Sequence, residues 1–281
     1  MKNVLTIAGS DCSGGAGIQT DLKTFASCGV YGMSVITALT AQNTMGVNYV
    51  ENVSQKMVVE QLNAIYDDIR VDAIKIGMLP SSEIIESVYK NIKKWGVEHI
   101  VVDPVMVSTS GHDLIDDKAK KTLQEKLFDL AELITPNLSE AKCIYEMMTG
   151  NKIADINSVK EMECIGREIV KRFGCSVLVK GGHLDDEPCD VLIKKDMSVI
   201  RLDNQRIETK NTHGTGCTLS SAIASYLAKG FSLEEAVAVS KVFVTNAIKH
   251  SLDIGHGNGP TNPMGEIYDL LKLELVSESN I

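Results

Sequence analysis

The 281-residue chain is 44% hydrophobic and 23% charged, ordinary usage for a globular protein and ample for a sizeable buried core. Its formal net charge of −9 and pI near 5.2 argue against a sequence-independent grip on nucleic acid, which needs clustered Lys and Arg against the phosphate backbone. No run approaches the ~18 apolar residues of a membrane span, and the apolar stretch of MKNVLTIAGS is too short for a signal peptide, so a cytoplasmic protein is expected.

Taken in chain order, short apolar runs alternate with longer helix-period runs. NVLTIAG reads as a strand before a helix from Gly17 to Ser27, and SVITAL as a strand before a helix from Gln55 to Asp68. AIKIG precedes a helix from Glu83 to Trp95, HIVVD one from Lys118 to Leu130, and ELIT one from Leu138 to Met148. The strands lack strict polar alternation, as strands covered on both faces do. The prediction is an α/β fold with a mostly parallel central sheet and helices on both faces. Asp190 to Asn204 reads instead as two strands around a polar turn, a small antiparallel edge. Gly29, Gly96, Gly150, Gly174 and Gly230 mark helix ends, and Ser158 with Glu161 and Ser232 with Glu235 have capping-box spacing. No linker, repeat or composition break divides the chain, so one domain is expected over 1–281, with 266–281 a C-terminal helix and a loose tail. The seven cysteines, Cys12, Cys28, Cys143, Cys164, Cys175, Cys189 and Cys217, form no C-x-x-C pair and no metal-ligand spacing; most read as small buried hydrophobes.

In open α/β sheets ligands bind beyond the carboxyl ends of the strands, and several strand ends here carry chemistry. GSDCSGGAG lacks the Lys and Ser/Thr of a P-loop, and no G-x-G-x-x-G is present. It is either a glycine turn or backbone packed against a small ligand, with Asp21 one helical turn further on. Gln42 and Asn43 follow an apolar strand, where an amide suits a heteroaromatic ring edge or a loop cap. Asp103, before Pro104, is either a turn former or a Mg²⁺ ligand. Asn137 and Glu140 have helix-capping spacing, while Lys180, followed by two glycines and His183, has the reach of a phosphate contact. In NTHGTGC, Gly214, Thr215 and Gly216 lead into a helix whose uncapped N–H groups and dipole favour negative charge.

In order along the chain, TIAGSDCSGGAGIQTDLKTF, TALTAQNT, KIGML, DPVM, ITPNLSEA, KGGH and NTHGTGCTLSSAIA resemble the bacterial hydroxymethylpyrimidine/phosphomethylpyrimidine kinases of thiamine biosynthesis. These belong to the ribokinase-like superfamily, and the resemblance runs from Val4 to about Ala247. It implies a ribokinase-like fold, ATP and Mg²⁺ as cofactors, a small pyrimidine substrate and a homodimer. It also implies phosphorylation of 4-amino-5-hydroxymethyl-2-methylpyrimidine and then of its monophosphate. Carried over by position, Gln42, Asp21, Gly9, Met78 and Val107 would line the pyrimidine pocket. Asn137 and Glu140 would organise Mg²⁺ and phosphates with Asp103 nearby, Lys180 and Lys241 would contact ATP, and Gly214, Thr215, Gly216 and Cys217 would form the anion hole.

Most ribokinase-like kinases place an aspartate base after G-x-G, where this chain has Cys217. A thiol with an ordinary pKa of ~8.5, lowered at a helix N-terminus, would be partly thiolate at neutral pH and able to take the hydroxymethyl proton. The monophosphate, already mostly dianionic at pH 7, would need no base. The nearest alternative is a pyridoxal or pyridoxine kinase. Members of that cysteine-bearing subgroup that trap the aldehyde carry a second cysteine after D-P-V-M, where this chain has Val107 and Ser108. A non-catalytic relative is the third reading, and the presence of Asn137, Glu140, Lys180, Gly216 and Cys217 speaks against it.

Overall fold

Neighbouring residues of a strand point to opposite sides of its sheet, and here both sides are apolar. Val4, Ala73, Val101, Leu133 and Leu178 enter one core while Leu5, Ile74, Val102, Ile134 and Val177 enter another. The computed structural model describes residues 1–106, 115–182, 184 and 188–271. Its strands are β1 (Asn3–Asp11), β2 (Tyr31–Asn43), β3 (Gly46–Asn52), β4 (Ala73–Ile76), β5 (His99–Val102), β6 (Leu133–Ile134), β7 (Ser176–Val179), β8 (Cys189–Ile193) and β9 (Val199–Asp203). Its helices are α1 (Gly17–Ser27), α2 (Gln55–Tyr66), α3 (Ser82–Trp95), α4 (Asp117–Leu130), α5 (Leu138–Thr149), α6 (Val159–Phe173), α7 (Thr215–Ala228), α8 (Leu233–Lys249) and α9 (Gly265–Leu270).

The described strands form one sheet in the order β3-β2-β1-β4-β5-β6-β7-β8-β9. β2, β1 and β4 through β7 are parallel, and β8 and β9 form the expected antiparallel edge. Helices α2 to α6 cover the face of Leu5 and Ile74, and α1, α7 and α8 cover the face of Val4 and Leu178. The strand order reverses direction between β1 and β4, the place where parallel sheets open a crevice at their carboxyl ends.

One strand departs from the sequence reading. SVITAL extends to Asn43, and GVNYVEN pairs with it antiparallel, Thr40 opposite Val50 and Ala41 opposite Tyr49. β3 has no buried residue, so it offers no apolar period to read and is held by its ladder to β2.

Helix ends follow the caps. Asn137 and Glu140 form a complete capping box, as do Ser232 and Glu235. Ser158 accepts the Glu161 N–H, but Glu161 returns to the Asn157 N–H, one residue earlier.

Buried thiols give the fold an alkaline limit. Cys28 and Cys175 are 4% and 2% exposed, and burial pushes their thiols up to about 11 and about 12 from an ordinary 9. The unfolded chain therefore releases both protons first, and stability intact below that ordinary value is lost as pH climbs toward the folded one. Each thiol contributes a slope of about 1.4 kcal/mol per pH unit in that window. Urea unfolding under reducing conditions should show a midpoint that falls steeply between about pH 9 and about pH 10.5; a flat midpoint there would contradict this account.

Candidate active site

The carboxyl ends of β5, β6 and β7 deliver three polar residues to one point. Asp103 follows β5, Asn137 follows β6 and Lys180 follows β7, with Asn137 and Lys180 in a parallel bridge. Lys180 Nζ lies 2.9 Å from Asp103 Oδ1 and 4.0 Å from Glu140 Oε2, and Thr135 Oγ1 donates to Asp103 at 3.0 Å. The first turn of α7 completes the cluster. A Cβ on Gly216 would stand 3.3 Å from Lys180 Nζ and 3.4 Å from Asp103 Oδ2. Bare backbone at the helix start thus faces a lysine, with N–H groups in the turn where no intrahelical acceptor exists. Gly214 permits this entry with φ of 82°, and a Cβ there would lie 1.9 Å from the Gly15 carbonyl oxygen, so no side chain fits. Thr215 closes the turn, its hydroxyl donating to the Thr212 carbonyl at 2.7 Å.

Two carboxylates here share one lysine. Burial raises Asp103, but Lys180 and Lys75 outweigh it and hold the group below the ordinary carboxylate range. Glu140 goes the other way: burial, reinforced by Asp103 and opposed by Lys180, pushes it up to about 7. Its capping role coexists with this, since Glu140 Oε2 accepts the Asn137 N–H at 2.8 Å while Asn137 Oδ1 accepts the Glu140 N–H at 2.9 Å. Lys180 is raised, burial being outweighed by Asp103 and Glu140.

Cys217 corrects the expected lowered thiol. Burial pushes it up to about 11, with Asp21 and Asp103 adding to the rise; Lys75 and an N–H from Gly17 at the start of α1 pull it down. Desolvation and two nearby carboxylates outweigh Lys75 and the Gly17 N–H, so the resting group is a thiol.

Asp21 is also corrected. It is fully buried, with Lys75 Nζ 2.9 Å from both carboxylate oxygens, Ser221 Oγ donating at 2.7 Å and Thr6 Oγ1 at 2.6 Å. No oxygen is left to face a substrate, and Asp21 instead ties α1, β1, β4 and α7 together beneath Cys217. Burial lowers Lys75, but Asp21, then Cys217 and Asp103, outweigh it and keep the amine charged.

At the β1/β2 side, Gly9 and Met78 meet: a Cβ on Gly9 would lie 3.3 Å from Met78 Sδ. Gln42 reaches its amide to 3.1 Å from His213 Nε2, which lies 2.9 Å from Asp11 Oδ2. Val107 lies outside the described residues, as do His183 and the 108–114 segment. Lys241 stands beside the cluster, not in it, its Nζ paired with Asp190, whose other oxygen accepts the Gly181 N–H at 2.9 Å.

Three residues were passed over in the sequence. Lys75 had a signal, a charge inside the apolar run AIKIG. His213 sits within NTHGTGC and Asp11 within GSDCSGGAG, but their pairing spans most of the chain and no local pattern announces it.

A family model for phosphomethylpyrimidine kinase matches residues 11–262. The hydroxymethylpyrimidine/phosphomethylpyrimidine kinase of Rhizobium meliloti (strain 1021) is 48% identical over 260 residues, covering 92% of this chain and 95% of the relative. A crystal structure of phosphomethylpyrimidine kinase from Clostridium difficile 630 is 48% identical with a TM-score of 0.75, covering 88% of this chain and 100% of that one. Pyridoxal kinase from Staphylococcus aureus in complex with ADP is 33% identical with a TM-score of 0.86, covering 95% of this chain and 94% of that one.

Proposed function

The chain belongs to the phosphomethylpyrimidine kinase family, and we propose that its cleft carries out two successive transfers of thiamine biosynthesis. The first moves the γ-phosphoryl group of ATP to the hydroxymethyl oxygen of 4-amino-5-hydroxymethyl-2-methylpyrimidine. The second moves another to the phosphate of that product. The observation that carries this reading is the approach of bare backbone at Gly216 to Lys180 and Asp103. N–H donors at a helix start and one partly buried ammonium would hold a transferring phosphoryl group by position and charge, which is most of what phosphoryl transfer asks of a protein.

Asp103 and Glu140 fit a Mg²⁺ ion shared with ATP phosphates. Both are hard oxygen donors, and burial, reinforced by Asp103 and opposed by Lys180, pushes Glu140 up to about 7, a rise that a bound cation would oppose. Among the described residues no group of three or more His, Cys, Asp or Glu could hold a metal, so phosphate oxygens and water would complete the shell. When bound, the ion would neutralise phosphate charge. Gly9, Met78 and Gln42 would hold the pyrimidine, Cys217 would take the hydroxymethyl proton, and Lys241 would act on the nucleotide only through its link to Gly181. Among the described residues no helix is long and apolar enough to cross a membrane; a cytoplasmic homodimer is part of the proposed reading.

Product identification by chromatography after incubation with Mg-ATP tests the reading. Hydroxymethylpyrimidine should yield a monophosphate, and the monophosphate a diphosphate. Phosphorylation of pyridoxal and pyridoxine alone would overturn the substrate assignment in favour of a vitamin B6 kinase, the reading favoured by the likeness to the Staphylococcus aureus pyridoxal kinase.

A further inference from the structure

The side-chain amide of Gln42 ends in two atoms of nearly equal size. One lies 3.1 Å from His213 Nε2 and the other 3.3 Å from Thr40 Oγ1. Which is oxygen and which nitrogen follows from the partners, because shape does not distinguish them.

On the histidine side, Nε2 also lies 2.9 Å from Asp11 Oδ2. Asp11 accepts the N–H groups of Ser13, Gly15 and Ala16 and the Ser13 hydroxyl, the surroundings of an ionised carboxylate. An ionised carboxylate can only accept. His213 Nε2 must therefore carry a proton, and a protonated ring nitrogen has no lone pair for an amide N–H. The Gln42 atom facing it is the carbonyl oxygen.

On the threonine side, Thr40 has a single hydroxyl proton. It goes to the Ser10 carbonyl at 2.9 Å, since a carbonyl can only accept. The Gln42 atom facing Thr40 is then the N–H donor. Two arguments from opposite ends of the amide give the same orientation, with nitrogen toward Thr40 and oxygen toward His213. The ring that imposes it is itself pinned. His213 is 6% exposed, and a Cβ on Gly15 would lie 2.4 Å from its Cδ2, so only glycine at position 15 leaves it room.

We propose that the Asp11–His213 pair fixes the polarity of the Gln42 amide and so makes His213 a positioning residue that determines which heterocycle the cleft accepts. This rests on Gln42 meeting the substrate, as in the function proposed above. Each end of the amide keeps one hydrogen-bonding position, a carbonyl lone pair on the His213 side and an N–H on the Thr40 side. Their complement is a ring nitrogen beside an exocyclic amino group, the pattern by which a Gln or Asn amide pairs with adenine. A 4-aminopyrimidine carries that pair. A pyridine of the vitamin B6 type has a ring nitrogen with no amino group beside it. With its polarity fixed, the amide meets the aminopyrimidine pair donor to acceptor in one register, and against the pyridine its carbonyl has no partner.

Nuclear magnetic resonance of the full chain labelled with ¹⁵N-histidine tests the orientation without reference to activity. His213, assigned by its loss in His213→Gln, should show a protonated Nε2 at neutral pH; an unprotonated Nε2 would overturn the proposal. Kinetics test the consequence. His213→Leu, which supplies no donor, should raise KM for hydroxymethylpyrimidine by about tenfold with a smaller change in kcat. The advantage of that substrate over its analogue lacking the 4-amino group should shrink, and His213→Gln, which keeps an N–H, should recover part of both effects. Equal proportional losses on the two pyrimidines, or no recovery with glutamine, would remove His213 from specificity. Absence of any pyrimidine turnover in the unmutated protein would instead sink the functional reading and the specificity role with it, while the resonance measurement would still decide the orientation.

Discussion

Replacing Cys217 with alanine should slow transfer to the hydroxymethyl oxygen by about 10²- to 10³-fold while slowing transfer to the monophosphate by less than about tenfold. The asymmetry comes from the acceptors. An alcohol attacks only as its proton leaves, whereas a phosphate monoester is already mostly a dianion at pH 7. In the proposed reaction the thiol takes the first acceptor's proton; it lies at the starts of α7 and α1, and burial pushes it up to about 11. A base that must first lose its own proton makes the rate follow pH. Transfer to the alcohol should therefore climb about tenfold per pH unit from about pH 7 to about pH 9.5, and transfer to the monophosphate should be nearly flat there. The alanine variant should lose the climb. Rapid-quench rates on both acceptors across that range check it, and equal losses on the two would leave Cys217 a purely spatial role.

Lys180→Met should cost both transfers alike, by about 10³-fold in kcat. Lys180 is the nearest cation to two buried carboxylates, 2.9 Å from Asp103 and 4.0 Å from Glu140. Its removal takes away the charge that the proposed reaction would set against the transferring group, and leaves the carboxylates without their lysine. Glu140, held down by Lys180 against burial, should then stay protonated at neutral pH, and the residual activity should shift toward more alkaline pH. Steady-state kinetics on both acceptors between about pH 6 and about pH 9 separate this from the Cys217 effect. A loss confined to the alcohol would assign Lys180 to proton transfer instead of phosphate contact.

The contrast between what the sequence disclosed and what it concealed has a physical basis. Helices announce themselves locally, and α1 begins at Gly17 and ends at Ser27 as read because Gly29 follows its last turn. β3 is held by pairing alone and leaves no apolar trace. The cluster of Asp103, Asn137, Glu140, Lys180 and Gly216 was legible because each member ends a strand or begins a helix, where parallel-sheet geometry gathers polar groups. Asp21 and Cys217 were placed but misjudged for one shared reason: burial and neighbouring charge are properties of the assembled molecule. Lys75, which pairs with Asp21 and opposes the rise in Cys217, comes from a strand 54 residues further along. Nothing in either segment alone discloses the pair.

The sheet is complete by Asp203, whereas α7 begins at Thr215 and α8 ends at Lys249. During synthesis every strand therefore leaves the ribosome before two of the three helices that cover one of its faces. Until they arrive, Val101, Leu133, Leu178 and Leu192 line an apolar surface sheltered only at one side by α1, the kind of surface that draws chaperones or self-association. The segment that closes this face is the one that brings Gly216 and Cys217 to the strand ends. The groups proposed to carry the reaction thus belong to the same late-synthesised segment that covers this face.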